Sequence, residues 1–582
     1  MALLPATAAR ADNPIIQTIY TADPAPLVYN GRVYLYTGHD EDGSTYFTMK
    51  DWRVWSSADM VNWTDHGSPL SVSSFSWAKS DAWAGQAVYR NGKFYWYVPT
   101  TNRSTGRMAI GVAVSDSPTG PFKDAIGRPL VENGEIDPTV YVDDNGQAYL
   151  YWGNPNLWYV KLNADMISYS GSPTKVNLTT AGFGTRTGDA KRPTLFEEGP
   201  WFYKRGSLYY MVFAAKCCSE FIAYSTSSSP TGPWTYRGTI MPTQGGSFTN
   251  HPGIIDFAGG SYFFYHNGAL PGGGGYTRSV AVEKFTYNAD GTIPTITMTS
   301  TGAPQIGTLN PYVRQEAETI AWESGVETEP SSEGGMNVGF IENGDYIKVK
   351  GVGFGTGAKT FTARVASGSS GGKIEVRRDG ATGTLMGTCD VPGTGGWQTW
   401  TTVSCPVTGA TGTHDLYLRF TGGSGYLLNM NWWQFDGGTT TSPSPTPPTS
   451  PTPPTSPSPT PPTSPSPTPP TSPSPTPPAS PSPGGGACSA SYRTTNSWGG
   501  GYQGEVTVTA GGSPINGWTV KWNLSSGQTI TQVWNGTLST TGSTVSVSNA
   551  SYNGSLGASA STTFGFTAGG SPSTPTLTCT SP

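Results

Sequence analysis

The sequence predicts an all-β protein, in which a five-bladed β-propeller is followed by two β-sandwich modules of jelly-roll or immunoglobulin-like type. The propeller is predicted by a unit that recurs five times in the first 270 residues: a strand-forming run, a Gly-containing turn and an aromatic-rich run. A period near 50 residues built on hairpins is typical of one blade per repeat. The sandwiches are predicted by short alternating strands between Gly-rich turns, without a convincing long helix. The five turns are Asn30-Gly31, Asn91-Gly92, Asn145-Gly146, Arg205-Gly206 and Gly259-Gly260.

The 582-residue chain is long enough for several domains. A Pro/Thr/Ser repeat at residues 439–486 predicts an extended linker that cannot form a core. We expect a signal-peptide remnant at 1–11, the propeller at 12–305, a first sandwich at 313–437 and a second at 487–582.

Composition excludes several classes of partner. Only 12% of residues are charged and the net charge is −5, which argues against nucleic acid or an anionic membrane as partner. No apolar run reaches 18 residues, so we expect no membrane span.

The six cysteines fall into three local pairs, which favours an oxidising, extracellular location and predicts a secreted protein. Cys488 and Cys579 bracket the last module, and we expect them to form a disulfide. Cys389 and Cys405 flank a strand-turn-strand stretch and are a second expected pair. The adjacent Cys217 and Cys218 either form a disulfide or remain two thiols.

One register position recurs in all five repeats. Eight or nine residues before the turn glycines the sequence carries three acids, a tryptophan and a histidine. If each first strand is the innermost strand of its blade, these side chains meet in one central pocket. Paired carboxylates in a pocket are typical of glycoside hydrolysis, in which one acid protonates the departing oxygen and one carboxylate activates water or attacks carbon. The five residues are Asp23, Trp83, Asp137, Glu198 and His251.

Around these residues the sequence resembles the family 43 glycoside hydrolases, in stretches such as Thr21-Ala22-Asp23-Pro24 and Glu197-Glu198-Gly199-Pro200. The resemblance implies an inverting mechanism with Asp23 as general base, Glu198 as general acid and Asp137 as the residue that modulates the pKa of the acid. Glu197 is left open as a rival acid. Trp83 is expected to stack on a sugar ring.

Two further residues, Arg278 and Asn250, are assigned to the same pocket, and the role of His251 has alternatives. The resemblance implies that Arg278 and Asn250 bind sugar hydroxyls. His251 either supports the pocket from beneath, or orients a carboxylate or contacts a metal. No cofactor is expected for the chemistry, since two carboxylates suffice.

The predicted activity is removal of α-L-arabinofuranosyl side groups from arabinoxylan. An exo-acting β-xylosidase on xylo-oligosaccharides and an endo-arabinanase remain open as alternatives. A propeller lectin is disfavoured, because it would not need three carboxylates.

The first sandwich resembles family 6 carbohydrate-binding modules, through Gly344-Asp345-Tyr346-Ile347 and Gly396-Trp397-Gln398 among other stretches. The resemblance implies a xylan-binding site and a structural calcium site. The sugar ligands are expected to be Tyr346, Trp397 and Asn429, with Asn431 left open in place of Asn429. The expected calcium ligands are Glu316, Glu318 and Asp436.

The second sandwich resembles family 2 modules, whose row of exposed aromatic side chains suits a crystalline polysaccharide. This implies a cellulose surface as a partner. Trp518 and Trp522 are expected in the core. The row is assigned to Trp498, Trp534 and Tyr552.

Overall fold

The computed structural model describes residues 12–437, 488–498, 501–534, 536–550 and 553–581. Their regular structure is strand apart from one four-residue helix, α1 (Thr180–Phe183), and one 3-10 turn (Val72–Ser74). The all-β prediction is confirmed. In the described part of the chain, no helix has the length and apolar character needed to cross a membrane. The remnant predicted at 1–11 and the linker predicted at 439–486 lie wholly outside the described residues.

The chain divides into two compact units, Met1–Pro453 and Pro454–Pro582. In the first unit, residues 21–285 form five successive antiparallel sheets. The strands of the first sheet are β1 (Thr21–Tyr29), β2 (Arg32–His39), β3 (Asp51–Ser57), β4 (Trp63–Asp65) and β5 (Leu70–Ser71); those of the second are β6 (Ala78–Ser80), β7 (Gln86–Arg90), β8 (Lys93–Asn102), β9 (Met108–Ser115) and β10 (Lys123–Asp124). The third sheet contains β11 (Thr139–Val142), β12 (Ala148–Trp152), β13 (Trp158–Leu162) and β14 (Tyr169–Lys175); the fourth β15 (Phe196–Arg205), β16 (Leu208–Ala215), β17 (Phe221–Ser227) and β18 (Thr235–Met241); the fifth β19 (Gly253–Phe257), β20 (Gly260–Asn267) and β21 (Ser279–Phe285).

Each sheet contains one of the five predicted hairpins. Asn30 and Gly31 have φ angles of 49° and 74°, the left-handed backbone that a two-residue hairpin turn requires and that Asn-Gly adopts readily. In the fifth hairpin Phe257 pairs with Gly260, so the turn is Ala258-Gly259. The predicted turn was therefore one residue too late. In the fourth hairpin Arg205 pairs with Leu208, so the turn is Gly206-Ser207 and the predicted Arg205-Gly206 was one residue too early.

Neighbouring sheets pack through shared apolar cores. Separate clusters join the second sheet to the third, the third to the fourth, and the fifth to the first. A larger cluster joins the first sheet to the second and the fourth to the fifth. The five sheets therefore contact one another in a closed cycle, which brings the starts of their first strands together.

Residues 315–436 form two further antiparallel sheets that share one core. One short strand leaves them: β23 pairs with β4, so Thr319 and Ile320 extend the first sheet, and the hydroxyls of Thr64 and Thr319 lie 2.9 Å apart. The strands are β22 (Gln315–Glu316), β23 (Thr319–Ile320), β24 (Trp322–Ser324), β25 (Glu327–Pro330), β26 (Met336–Gly339), β27 (Tyr346–Gly355), β28 (Thr360–Ser367), β29 (Gly371–Arg378), β30 (Thr384–Pro392), β31 (Gly396–Pro406), β32 (Gly412–Thr421) and β33 (Asn429–Asp436).

The second unit has its own core, in which Trp518 and Trp522 are buried as predicted. Its strands are β34 (Cys488–Trp498), β35 (Gly501–Ala510), β36 (Ile515–Asn516), β37 (Thr519–Asn523), β38 (Thr529–Trp534), β39 (Gly536–Thr541), β40 (Thr544–Asn549), β41 (Ser555–Leu556), β42 (Ser561–Gly569) and β43 (Thr578–Thr580).

Three disulfides are present. The structure contains both expected bonds, Cys488–Cys579 and Cys389–Cys405. It also joins Cys217 to Cys218, the pair that the sequence left undecided.

Candidate active site

One cavity lies where the first strands of the five sheets begin. Its volume is about 230 Å³, small beside the roughly 300–1,000 Å³ common for ligand sites. All five residues of the recurring register line it, although they are far apart in sequence. They are Asp23, Trp83, Asp137, Glu198 and His251.

Local backbone irregularities aim the acids into this cavity. Asp23 and Asp137 have φ angles of 55° and 59°, unusual for residues other than glycine, and Asp23 lies in a bulge of β1. The register of β15 also shifts on both sides of Glu198. Bulges re-aim side chains, and strained backbone often marks functional sites. Gly199 adopts φ 57°, and a Cβ there would approach His251 to 3.0 Å.

Asp23 is buried and held as an anion. Nη1 of Arg278 donates to Asp23 at 3.1 Å, and His251 and His266 approach the same oxygen at 3.8 and 3.3 Å. Burial acts to raise the pKa of Asp23, but Arg278 and the two histidines outweigh it and hold this pKa below its usual value. Arg278 is held in turn by Asp40, through contacts of 2.9 and 2.8 Å.

The two adjacent glutamates have opposite environments. Burial, the charge of Asp23 and the charge of Glu197 raise the pKa of Glu198 to about 7. Glu197 is also buried, but Arg186 and Arg192 bind it and lower its pKa. Glu197 is therefore an ionised ion-pair partner, whereas Glu198 keeps a proton near neutral pH.

Asp137 fixes the backbone beside Glu198. Its carboxylate accepts a hydrogen bond from Gly199 N–H at 3.0 Å. Burial and the charges of Glu198 and Asp23 raise the pKa of Asp137 well above its usual value. The coupling to Glu198 is therefore present, but the principal charges that raise the pKa of Glu198 itself are those of Asp23 and Glu197.

His251 lines the cavity, whereas Asn250 does not. Asn250 is buried behind it, and its side-chain oxygen accepts a hydrogen bond from His251 N–H at 2.9 Å. The predicted contact of Asn250 with sugar is corrected to a supporting role. Burial, together with His266 and Arg278, lowers the pKa of His251 to about 4 against the opposing effect of Asp23, so its ring is neutral at pH 7.

Aromatic side chains form one wall of the cavity. The indole N–H of Trp83 donates to the carbonyl of Phe47 at 3.0 Å, and both residues line the cavity. The ring of Phe47 contacts that of Tyr276 with centroids 4.9 Å apart. Tyr46 stands at the mouth with 57% of its surface exposed. Such a wall suits the apolar face of a sugar ring.

The sequence analysis did not predict three polar residues of this region. Asp40 follows the end of β2, Asn154 lies two residues beyond β12 and donates to Glu198, and Glu220 immediately precedes β17. In an antiparallel sheet these positions lie at the edge where the first strand begins. Of the three, only Asn154 lines the cavity itself. No local motif marks Asp40 or Glu220, whose contacts with Arg278 and Glu198 depend on the pairing of the strands.

The predicted sugar ligands of the family 6-like region are only partly brought together. The amide of Asn429 donates to the carbonyl of Trp397 at 2.9 Å. The exposed rings beside Trp397 belong to Tyr426 and Phe340, with centroid distances of 6.4 Å from Trp397 to Tyr426 and 5.7 Å from Tyr426 to Phe340. Tyr346 lies elsewhere, against Tyr417. The structure does not bring Tyr346 and Trp397 together, because Tyr346 belongs to the other sheet. Trp397, Tyr426 and Phe340 instead form one exposed aromatic cluster.

The structure gives little support to the predicted calcium ligands. Glu318 is buried and one of its carboxyl oxygens has no hydrogen-bond partner. Burial and the charge of Glu316 raise its pKa, whereas Asp436 is exposed. Across the described ranges, no three His, Cys, Asp or Glu side chains are grouped closely enough to hold a metal ion. Calcium binding stays a prediction.

The predicted row on the last module cannot be placed. The side chains of Trp498 and Trp534, and the whole of Tyr552, lie outside the described residues.

Comparison with known proteins gives three family matches. The model of glycosyl hydrolases family 43 matches residues 11–293, that of the carbohydrate binding module (family 6) residues 316–437, and that of the cellulose binding domain residues 488–581. The chain is 38% identical over 491 residues to an arabinoxylan arabinofuranohydrolase of Bacillus subtilis, covering 73% of this chain and 92% of that protein. A Paenibacillus polymyxa protein of the same description is also 38% identical, with coverage of 73% and 74%. A crystal structure of a Bacillus subtilis arabinoxylan arabinofuranohydrolase in complex with cellotetraose superposes with a TM-score of 0.64 at 37% identity, covering 74% of this chain and 99% of that one.

Proposed function

The chain belongs to family 43 of the glycosyl hydrolases and is a carbohydrate-binding glycoside hydrolase, and we propose that it removes α-L-arabinofuranosyl side groups from arabinoxylan. One observation carries the proposal: a single cavity holds a carboxylate kept ionised, Asp23, and a carboxyl kept protonated to about pH 7, Glu198. Two carboxyls in opposite protonation states are what hydrolysis of a glycosidic bond needs.

In the proposed mechanism Asp23 takes a proton from a water molecule, which attacks the anomeric carbon. Glu198 gives its proton to the departing oxygen as the bond from carbon to that oxygen breaks. One proton is thus gained by Asp23 and one lost by Glu198, and exchange with solvent restores both. The water attacks from the face opposite the leaving group, so the anomeric configuration inverts.

Neighbouring groups serve these two residues. Arg278 keeps Asp23 ionised, and the hydrogen bond from Arg278 to Asp40 holds the guanidinium group in place. Asp137 holds the backbone after Glu198 and tunes the acid through their electrostatic coupling. Trp83 and Phe47 provide the wall on which the sugar stacks.

The architecture and setting are part of the proposal. The five sheets are read as blades of a propeller at 12–305, and the remaining sheets as sandwich modules at 313–437 and 487–582, joined by a linker at 439–486. The cycle of shared cores supports the propeller. Xylan and cellulose surfaces are the proposed partners, and the three disulfides support secretion into an oxidising environment.

Product analysis tests the substrate. We expect incubation with wheat arabinoxylan to release arabinose, and incubation with xylobiose to release little xylose. Xylose from both would favour the exo-β-xylosidase instead, and oligomers from linear arabinan the endo-arabinanase. NMR of the first product formed tests inversion, since retention of configuration would contradict the role of Asp23 as base. Glu198→Gln should abolish hydrolysis of arabinoxylan without abolishing binding, whereas the function of a lectin would be unaffected.

A further inference from the structure

A third glutamate touches the general acid. Glu220 is 2% exposed, and its Oε2 accepts a hydrogen bond from Asn250 N–H at 2.8 Å. Its Oε1 has no ordinary donor among the described residues. The carboxyl group of Glu220 is instead within hydrogen-bonding reach of the carboxyl group of Glu198.

Two buried carboxyls in contact cannot both be ionised at moderate cost, and a hydrogen bond between them requires a proton on one of them. The surroundings decide which one holds it. Arg278 and the amide of Asn154 favour negative charge on Glu198. Glu220 has Glu197 and Glu198 as charged neighbours, and no ion pair within the described ranges. Burial and the charge of Glu198 accordingly raise the pKa of Glu220 well above its usual value.

We propose that Glu220 is a positioning residue that keeps its own proton and donates a hydrogen bond to Glu198 while Glu198 protonates the departing sugar oxygen. This inference rests on the proposed function. Before the step Glu198 and Glu220 each carry one proton. During the step Glu198 loses its proton to the leaving oxygen, and the O–H of Glu220 stabilises the carboxylate that forms. Glu220 itself loses nothing, so the proton balance of hydrolysis is unchanged.

Two substitutions of matched size separate this role from a packing role. Glu220→Gln keeps an oxygen for Asn250 N–H and an N–H donor for Glu198. Glu220→Met fills similar space and offers neither. Each variant of the full chain is assayed on arabinoxylan, whose leaving group needs a proton, and on 2,4-dinitrophenyl α-L-arabinofuranoside, whose leaving group does not.

Because Glu220→Met removes the hydrogen bond to the carboxylate that forms on Glu198, we expect it to lower kcat/KM on arabinoxylan by about 10- to 100-fold. On the dinitrophenyl substrate the loss should stay below about threefold, since little proton donation is needed there. Glu220→Gln should recover most of the activity on arabinoxylan. Equal losses of Glu220→Met on both substrates, or a Gln variant as impaired as Met, would overturn the proposal. If the Met variant does not fold, the Gln variant alone decides, because an inactive folded Gln variant overturns the donor role.

Glu198→Gln is the control for the proposed function. It should lose activity on arabinoxylan and retain much of it on the dinitrophenyl substrate. Absence of that split would refute Glu198 as the acid. If Glu198→Gln loses activity on arabinoxylan but not on the dinitrophenyl substrate, while Glu220→Met shows no such difference, only the role of Glu220 is refuted.

Discussion

Glu197→Gln tests the division of labour between the two adjacent glutamates. Glu197 is an ion-pair partner of Arg186, and both side chains are more than nine-tenths buried. Removing the charge of Glu197 leaves Arg186 as an uncompensated buried cation, which costs about 3–5 kcal/mol. We expect the free energy of unfolding of the first unit to fall by that amount. Asp116→Asn, which breaks the exposed pair with Lys93, is the control and should change the free energy of unfolding little.

The same substitution should shift the pH profile. The charge of Glu197 helps to raise the pKa of Glu198, so its removal lowers that pKa. In general, two unit charges separated by about 8 Å at an effective dielectric constant of about 20 interact by about 2 kcal/mol, or about 1.5 pH units. Glu198 must be protonated to act, so activity is lost as pH rises through its pKa. The alkaline limb of kcat/KM should therefore move from about pH 7 to about 5.5.

The assay is kcat/KM on arabinoxylan over the range in which the variant stays folded. A folded Glu197→Gln variant with no activity at any pH, beside an active Glu198→Gln variant, would refute the reasoning and make Glu197 the acid. An alkaline limb that does not move would show that the charge of Glu197 does not reach Glu198.

Three further predictions concern the modules. Cys488→Ser should lower the stability of the second unit by about 4.7 kcal/mol, the value for a closed loop of roughly 100 residues, since the bonded cysteines are 91 residues apart; an unchanged calorimetric transition of that unit would contradict this. Trp397→Ala should weaken xylohexaose binding by about tenfold or more because a stacking ring is lost, whereas Tyr346→Ala should change it little, and calorimetric titration giving the reverse ranking would reject the assignment. If Glu318 binds calcium, calcium at about 100 times its Kd should add about 2.7 kcal/mol to stability, and Glu318→Gln should abolish that gain; a gain that persists in the variant excludes Glu318 as a ligand.

The hairpins and the register of the site could be predicted because their signals are local. Asn30-Gly31 specifies a left-handed turn by its own conformational preference, and counting back from the turn locates Asp23. Each single Asp-Pro or Glu-Gly-Pro match is weak evidence alone. Because the same spacing recurs in five repeats, the sequence predicted that the five side chains line one cavity.

Other residues depend on contacts that local patterns do not encode. Glu220 faces Glu198 only because β15, β16 and β17 are neighbours in one sheet, and nothing in Ser219-Glu220-Phe221 signals this. The resemblance to family 6 modules assigns Tyr346 as a sugar ligand, but the local sequence does not show that its strand belongs to a different sheet from that of Trp397. Phe340, which stands in the exposed cluster, precedes that strand and has a φ of 56°, a conformation that its residue type does not predict.

The pairing of β23 with β4 has a consequence for truncated forms of this protein. A chain cut before residue 313 would lose Thr319 and Ile320 and expose the backbone donors and acceptors of Trp63 and Thr64. An uncovered strand of this kind is a template for association with other chains, so the shortened enzyme would tend to self-associate. The module at 313–437 can therefore not simply be exchanged for another one. A replacement module must supply a strand that pairs with β4 as Thr319 and Ile320 do.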